Sequence, residues 1–116
     1  MFFHVILTTK CNSECRYCYG EASEDFEEVS SEDEFDYSLP KTIGYDIGCL
    51  DRLCELDPHC VLTFYGGEPL LCVDQIRQIM DTTKPKMFMM QTNGLLLDRL
   101  ESDYVNRFRT ILVSVD

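Results

Sequence analysis

Four short apolar runs, Phe2–Thr8, Cys60–Tyr65, Met87–Gln91 and Thr110–Val115, punctuate this chain of 116 residues. Each is nearly continuous in hydrophobicity rather than alternating, the pattern of strands buried on both faces. The segments between them carry a helical period instead. Ile43, Ile47, Leu50 and Cys54 are spaced four, three and four apart, and Val73, Ile76 and Ile79 or Met80 repeat the rhythm. Leu97, Leu100, Tyr104 and Phe108 do so a third time, each set giving one apolar stripe on a helix. Asp57-Pro58 and Lys84-Pro85 mark where the first two helices stop. A strand–helix alternation that ends on a strand predicts right-handed βαβ units and a parallel sheet. The fourth run closes the chain, leaving one flank of that sheet unpaired, which native proteins seldom tolerate. The expectation is therefore the first part of a longer protein, or a piece that needs a partner.

The length suits one small domain with a single core, here taken as residues 1–116. No apolar run approaches the ~20 residues a membrane span needs. The apolar start has no basic region ahead of it, so no secretory signal is read, and a cytoplasmic protein is expected. A net charge of −11 argues against nucleic acid as partner, because phosphate contacts need clustered Lys and Arg. Much of that charge is local. Residues 21–36 hold nine acidic side chains and no basic one, so an acidic, flexible insert is expected over 21–37. It reads as a solvated loop, with a docking strip for a basic peptide as the alternative.

Seven cysteines are an odd number for a disulfide framework. Three of them, Cys11, Cys15 and Cys18, crowd into the stretch "TTKCNSECRYCYG" that follows the first strand. In a reducing compartment such a cluster reads as metal ligands or redox groups. Cys49, Cys54, Cys60 and Cys72 are scattered among apolar residues and are expected to fill the core. Three thiolates rather than four suit a 4Fe–4S cluster with one iron left open; the competing reading is zinc, with His4 or His59 as fourth ligand.

Further motifs fall at the other strand ends, where parallel α/β proteins place their function. "GGEP" (Gly66, Gly67, Glu68, Pro69) follows the second run, "TNG" (with Asn93) the third, and "SVD" (with Ser114 and Asp116) closes the fourth. The glycine pair lets backbone approach a ligand and leaves amides free to donate or carbonyls to accept, Glu68 adds a carboxylate, and Pro69 fixes the turn. Facing three cysteines, this reads as a clamp for a cationic amino group; a strand-to-helix corner is the plainer alternative. Asn-Gly is equally a tight-turn signal, and Ser114 and Asp116 suit either a ribose or carboxylate contact or a helix cap.

Taken together, the cysteine spacing, Tyr17 before Cys18, and the "GGEP" turn resemble the radical S-adenosylmethionine (SAM) superfamily over nearly the whole chain. The resemblance implies an α/β fold whose parallel βα repeats form the first half of a partial (β/α)6 TIM-like barrel. It implies that Cys11, Cys15 and Cys18 hold a 4Fe–4S cluster whose open iron binds the SAM amino and carboxylate groups. Gly66, Gly67, Glu68 and Pro69 would bind the SAM amino group, Tyr17 would lie near the adenine, and Asn93, Ser114 and Asp116 would line the rest of the pocket. The activity implied is reductive cleavage of SAM to methionine and a 5′-deoxyadenosyl radical that abstracts a substrate hydrogen. An electron donor such as a ferredoxin or flavodoxin is implied as partner.

Within the superfamily, "CNxxCxYCY", "FYGGEPLL", "QTNG" and "VSVD" look most like peptide- and protein-modifying members, with wording closest to archaeal ones. Two alternatives stay open. One is an iron–sulfur or zinc module without radical catalysis. The other is a different radical SAM class, such as a nucleotide cyclase or a glycyl-radical activating enzyme. The acidic insert stands where the family usually has a short connection. The later strands and C-terminal region of the family have no counterpart in these residues, so catalysis by this chain alone is not expected.

Overall fold

A computed structural model describes residues 1–15 and 41–115. Strands β1 (Phe2–Ile6), β2 (Val61–Tyr65), β3 (Met87–Thr92) and β4 (Phe108–Val113) form one sheet in the order β1-β2-β3-β4. Every neighbouring pair is parallel. Helices α1 (Ile47–Leu56), α2 (Val73–Thr82) and α3 (Ser102–Val105) occupy the three crossovers. Short 3-10 turns, Pro69–Cys72 and Leu97–Arg99, precede α2 and α3. The alternating α/β order expected from the sequence is the order observed. The acidic stretch 21–37 falls within 16–40, outside the described residues, as do Tyr17, Cys18 and Asp116.

The helix stripes account for the core. Asp46 caps α1 by accepting the Gly48 N–H at 3.0 Å, which satisfies one orphan donor of the first turn. Leu50 and Cys54, four residues apart, are the buried positions of α1; Ile76, Ile79 and Met80 are those of α2. They pack on Val5, Leu62, Phe64, Phe88 and Met90, alternate positions of the first three strands. Phe64 is fully buried, with its ring 6.2 Å from Phe88 and 6.0 Å from Phe108. Burying one such side chain stabilises the fold by about 1.5–3 kcal/mol.

Three expectations need correction. First, burial on both faces holds for β2, where Val61, Leu62, Thr63 and Phe64 are all buried, but not for the outer strands. Phe2 is 69% exposed and Leu112 50% exposed, because the helices pack on one face and the outer strands lack a neighbour on one side. Second, Cys49 is exposed. It stands one position from Leu50, about 100° round the helix from the buried stripe. Third, the helical period over Leu97–Phe108 is only partly realised. Phe108 is the first residue of β4, paired with Phe88, and α3 is a four-residue helix. Arg77 of α2 holds the chain ahead of α3 by donating to the Arg99 carbonyl at 3.2 Å and to the Glu101 carboxylate at 2.9 Å. Among the described residues no helix is long and apolar enough to cross a membrane.

Candidate metal centre

The carboxyl ends of the strands converge, and backbone hydrogen bonds tie them together. Beyond β1 the chain runs through Leu7 and Thr8, both buried. The Thr8 hydroxyl donates to the Lys41 carbonyl and accepts the Lys10 N–H at 3.1 Å. That turn delivers the cysteine loop to the tip of β2. There the Gly67 N–H donates to the Thr8 carbonyl at 2.9 Å and the Glu68 N–H to the Lys10 carbonyl at 2.8 Å.

Both glycines are demanded by this closeness. Gly66 has φ +128°, a region L-residues rarely adopt. A Cβ on Gly67 would stand 2.1 Å from the Lys10 carbonyl oxygen. The backbone approach expected of "GGEP" is therefore real, but its partner is the protein's own cysteine loop. The amides of Gly67 and Glu68 are not free to donate to a ligand, which leaves the carbonyls as the groups of that turn that a ligand could meet.

Glu68 is fully buried. Its Oε1 accepts the Leu70 N–H at 3.0 Å and the Thr92 hydroxyl at 2.7 Å, and its Oε2 accepts the Asn93 N–H at 2.8 Å. One carboxylate thus caps the 3-10 turn after β2 and crosslinks it to the tip of β3. Three donors on one buried carboxylate offset the cost of removing it from water. Thr92, marked in the sequence only as the first letter of "TNG", is the hub of this arrangement. It also accepts the Gly94 N–H at its hydroxyl and the Ser114 N–H at its carbonyl, at 3.0 and 2.9 Å.

Asn93 completes the tip of β3. Its Oδ1 accepts the Leu95 N–H at 3.0 Å, closing an Asx turn in which Gly94 has φ +80°. Its Nδ2 points the other way, to Asn12 Oδ1 at 2.7 Å, Ser13 Oγ at 3.3 Å and Cys11 Sγ at 3.8 Å. Asn12 enters the sequence reading only as a letter of the cysteine motif and Ser13 not at all, although both lie between its first two cysteines. Cys11 is exposed and Cys15 half-buried.

Of the residues expected at the site, Cys11, Gly66, Gly67, Glu68 and Asn93 meet in one bonded constellation. Pro69 opens the 3-10 turn behind it, and Ser114, exposed, joins through its backbone bond to Thr92. The zinc alternative gains nothing from the histidines. His4 stacks on Tyr65 with ring centroids 5.2 Å apart. His59 lies at the opposite end of the sheet, its N–H bonded to Asp57. Among the described residues no three His, Cys, Asp or Glu side chains gather as a metal site, since the third cysteine of the set lies outside them. The donor chemistry still fits an iron–sulfur centre: two thiols, one exposed and one half-buried, on a loop anchored at Thr8, Lys10 and Asn93.

Comparison with known proteins points to the same kind of centre. Residues 3–116 match the model of the 4Fe-4S single cluster domain family. The chain belongs to that family, and with it to the radical SAM superfamily. It is 24% identical to the radical SAM cyclopropyl synthase TigE of Paramaledivibacter caminithermalis, over 97% of this chain and 26% of that protein. It is 30% identical to the cysteine-type anaerobic sulfatase-maturating enzyme of Clostridium perfringens, over 76% of this chain and 25% of the relative. Its identity to the 7-carboxy-7-deazaguanine synthase of Methanocaldococcus jannaschii is 32%, over 78% and 39% respectively. The chain thus spans between a quarter and two-fifths of the length of these relatives. No solved structure matches it.

Proposed function

We propose that this chain is the cluster- and SAM-binding part of a radical SAM enzyme that modifies a peptide or protein. The observation that carries the reading is the bonded convergence of the cysteine loop, the Gly66–Pro69 turn and the Asn93 turn at one end of a parallel sheet. Cys11, Cys15 and Cys18 hold the 4Fe–4S cluster in this reading. The bound group supplies the electron for cleavage of SAM to methionine and a hydrogen-abstracting 5′-deoxyadenosyl radical.

The protein's own part is to position. The amides of Gly67 and Glu68 and the Glu68 carboxylate are already engaged. What the turn offers a cationic SAM amino group is therefore the carbonyl oxygens of Gly66 and Gly67, which is the right polarity for it. Ser114, Asp116 and Tyr17 serve the remainder of the SAM molecule, and a ferredoxin or flavodoxin delivers the electron.

A polypeptide substrate is favoured by the sulfatase-maturating relative, whose name states a protein target. The deazaguanine synthase likeness favours a second reading, a radical SAM enzyme acting on a small heterocycle. Anaerobic iron–sulfur reconstitution, followed by EPR of the dithionite-reduced protein with and without SAM, tests the core of both. A 4Fe–4S signal that shifts with SAM and is lost in Cys15→Ala is the expected result. Stoichiometric zinc without iron would overturn it. Peptide and heterocycle candidates are then separated by which one consumes the radical and changes mass.

A further inference from the structure

We propose that Asn93 is a positioning residue for the cysteine loop, and that its carboxamide donates to the Cys11 sulfur once that sulfur is a cluster ligand. The inference rests on the cluster-binding reading above but concerns a role the expected SAM contact does not include. Nδ2 carries two hydrogens and faces three acceptors. Asn12 Oδ1, at 2.7 Å, takes one of them. Ser13 Oγ at 3.3 Å and Cys11 Sγ at 3.8 Å compete for the other. The Ser13 oxygen is the nearer of the two by 0.5 Å, so in the cluster-free chain the hydroxyl holds that hydrogen. A metal-bound thiolate carries negative charge, and charge-assisted bonds are about twice as strong as neutral ones. On cluster loading the second N–H therefore passes from Ser13 to Cys11.

The amide is held in place to do this. Glu68 fixes the Asn93 backbone N–H at 2.8 Å, and Leu95 N–H fixes Oδ1 at 3.0 Å, so the carboxamide plane is pinned from both sides. Glu68 is itself fully buried. A side chain tied this way spends little entropy in making its bond to the loop. Hydrogen bonds to ligand sulfurs stabilise the reduced state of an iron–sulfur cluster and raise its potential. Two consequences follow from one side chain: the loop is clamped before the cluster arrives, and the cluster is easier to reduce afterwards.

Asn93→Asp separates this from a merely structural role. Aspartate keeps the Oδ1 that accepts from Leu95, so the turn survives, but it has no hydrogen to give Asn12, Ser13 or Cys11. Two readouts are needed. In the cluster-free protein, Asn93→Asp should speed cleavage by a lysine-specific protease after Lys10 about fivefold, as loss of a loop hydrogen bond predicts, with the thermal midpoint little changed. In the reconstituted protein, redox titration should show the reduced-to-oxidised ratio falling about tenfold at fixed potential, equal to about 59 mV for a one-electron couple. Asn93→Ala should move both readouts in the same direction. Unaltered Lys10 cleavage in both variants would overturn the clamp, and an unchanged or raised potential would overturn the bond to sulfur. Should the unaltered protein take up no iron, the cluster-binding reading fails by itself, and the protease arm still decides the clamp.

Discussion

The two ends of the sheet each gather cysteines, and they make them into different things. At the carboxyl end Cys11 is exposed and Cys15 half-buried, beside the polar side chains of Asn12, Ser13 and Asn93. At the amino end Cys54 and Cys60 are buried, their sulfurs 3.6 Å apart between α1 and the start of β2. Burial, and then the bond to Cys60, push the Cys54 thiol up to about 12. Metals bind the thiolate, so Cys54 is chemically quiet at neutral pH, while Cys11 at the other end is open to solvent. Environment, rather than the presence of sulfur, divides the two sets.

The comparison can be broken most severely at Glu68. Glu68→Ala strands the Leu70 and Asn93 amides and the Thr92 hydroxyl and leaves a cavity, so a loss of about 3 kcal/mol or more is expected in urea unfolding. Iron uptake should fall with it, because the tips of β2 and β3 separate. Gly67→Ala attacks the same end through space alone. Its Cβ must displace the Lys10 carbonyl, at an expected cost of about 1–3 kcal/mol with weakened iron retention against a chelator.

At the quiet end, Cys60→Ala should cost about 1 kcal/mol and leave iron uptake as it was; reduced uptake there would show the two ends to be coupled. The smallest effect is in pH. The unfolded chain loses the Cys54 proton near the ordinary thiol value of 9.0, the folded chain only toward about 12. Its contribution is thus whole below 9 and is lost as pH rises through that window. Cys72 and Tyr104 are shifted upward as well, by burial and by the bond to Asp81 respectively. Cys54→Ala should accordingly flatten, without abolishing, the alkaline fall of stability in urea titrations.

The strands were legible because a strand covered by helices writes itself as an unbroken apolar run; β2 shows this fully. The α1 stripe was legible from Leu50 and Cys54, and the same period would have set Cys49 apart on the outer face. The segment after β3 misled for a physical reason. Phe108 keeps helical spacing with Tyr104, yet its ring has more to gain beside Phe64 and Phe88, 6.0 and 6.5 Å away. At the site, the residue types were visible and their partners were not. Nothing local to "GGEP" says that its carboxylate is spent on Thr92 and Asn93, 24 and 25 residues further on. Nor does the motif say that its glycines make room for Thr8 and Lys10 rather than for a ligand.

The strand order β1-β2-β3-β4 also bears on the sequence of events in folding. Every strand lies beside its successor, so no strand must wait for a later one to be inserted. The closures are not equal, however. The connection from Ile6 to Val61 is more than twice as long as that from Tyr65 to Met87, and each doubling of a loop adds about 0.6 kcal/mol to the entropy of closing it. The β2–β3–β4 unit, with its Glu68 crosslink, is therefore expected to assemble first and to serve as the template on which β1 docks. The strand that leads into the cysteine loop is the last to arrive, so nascent chains keep Cys11 away from the Asn93 turn until the rest of the sheet exists to receive it.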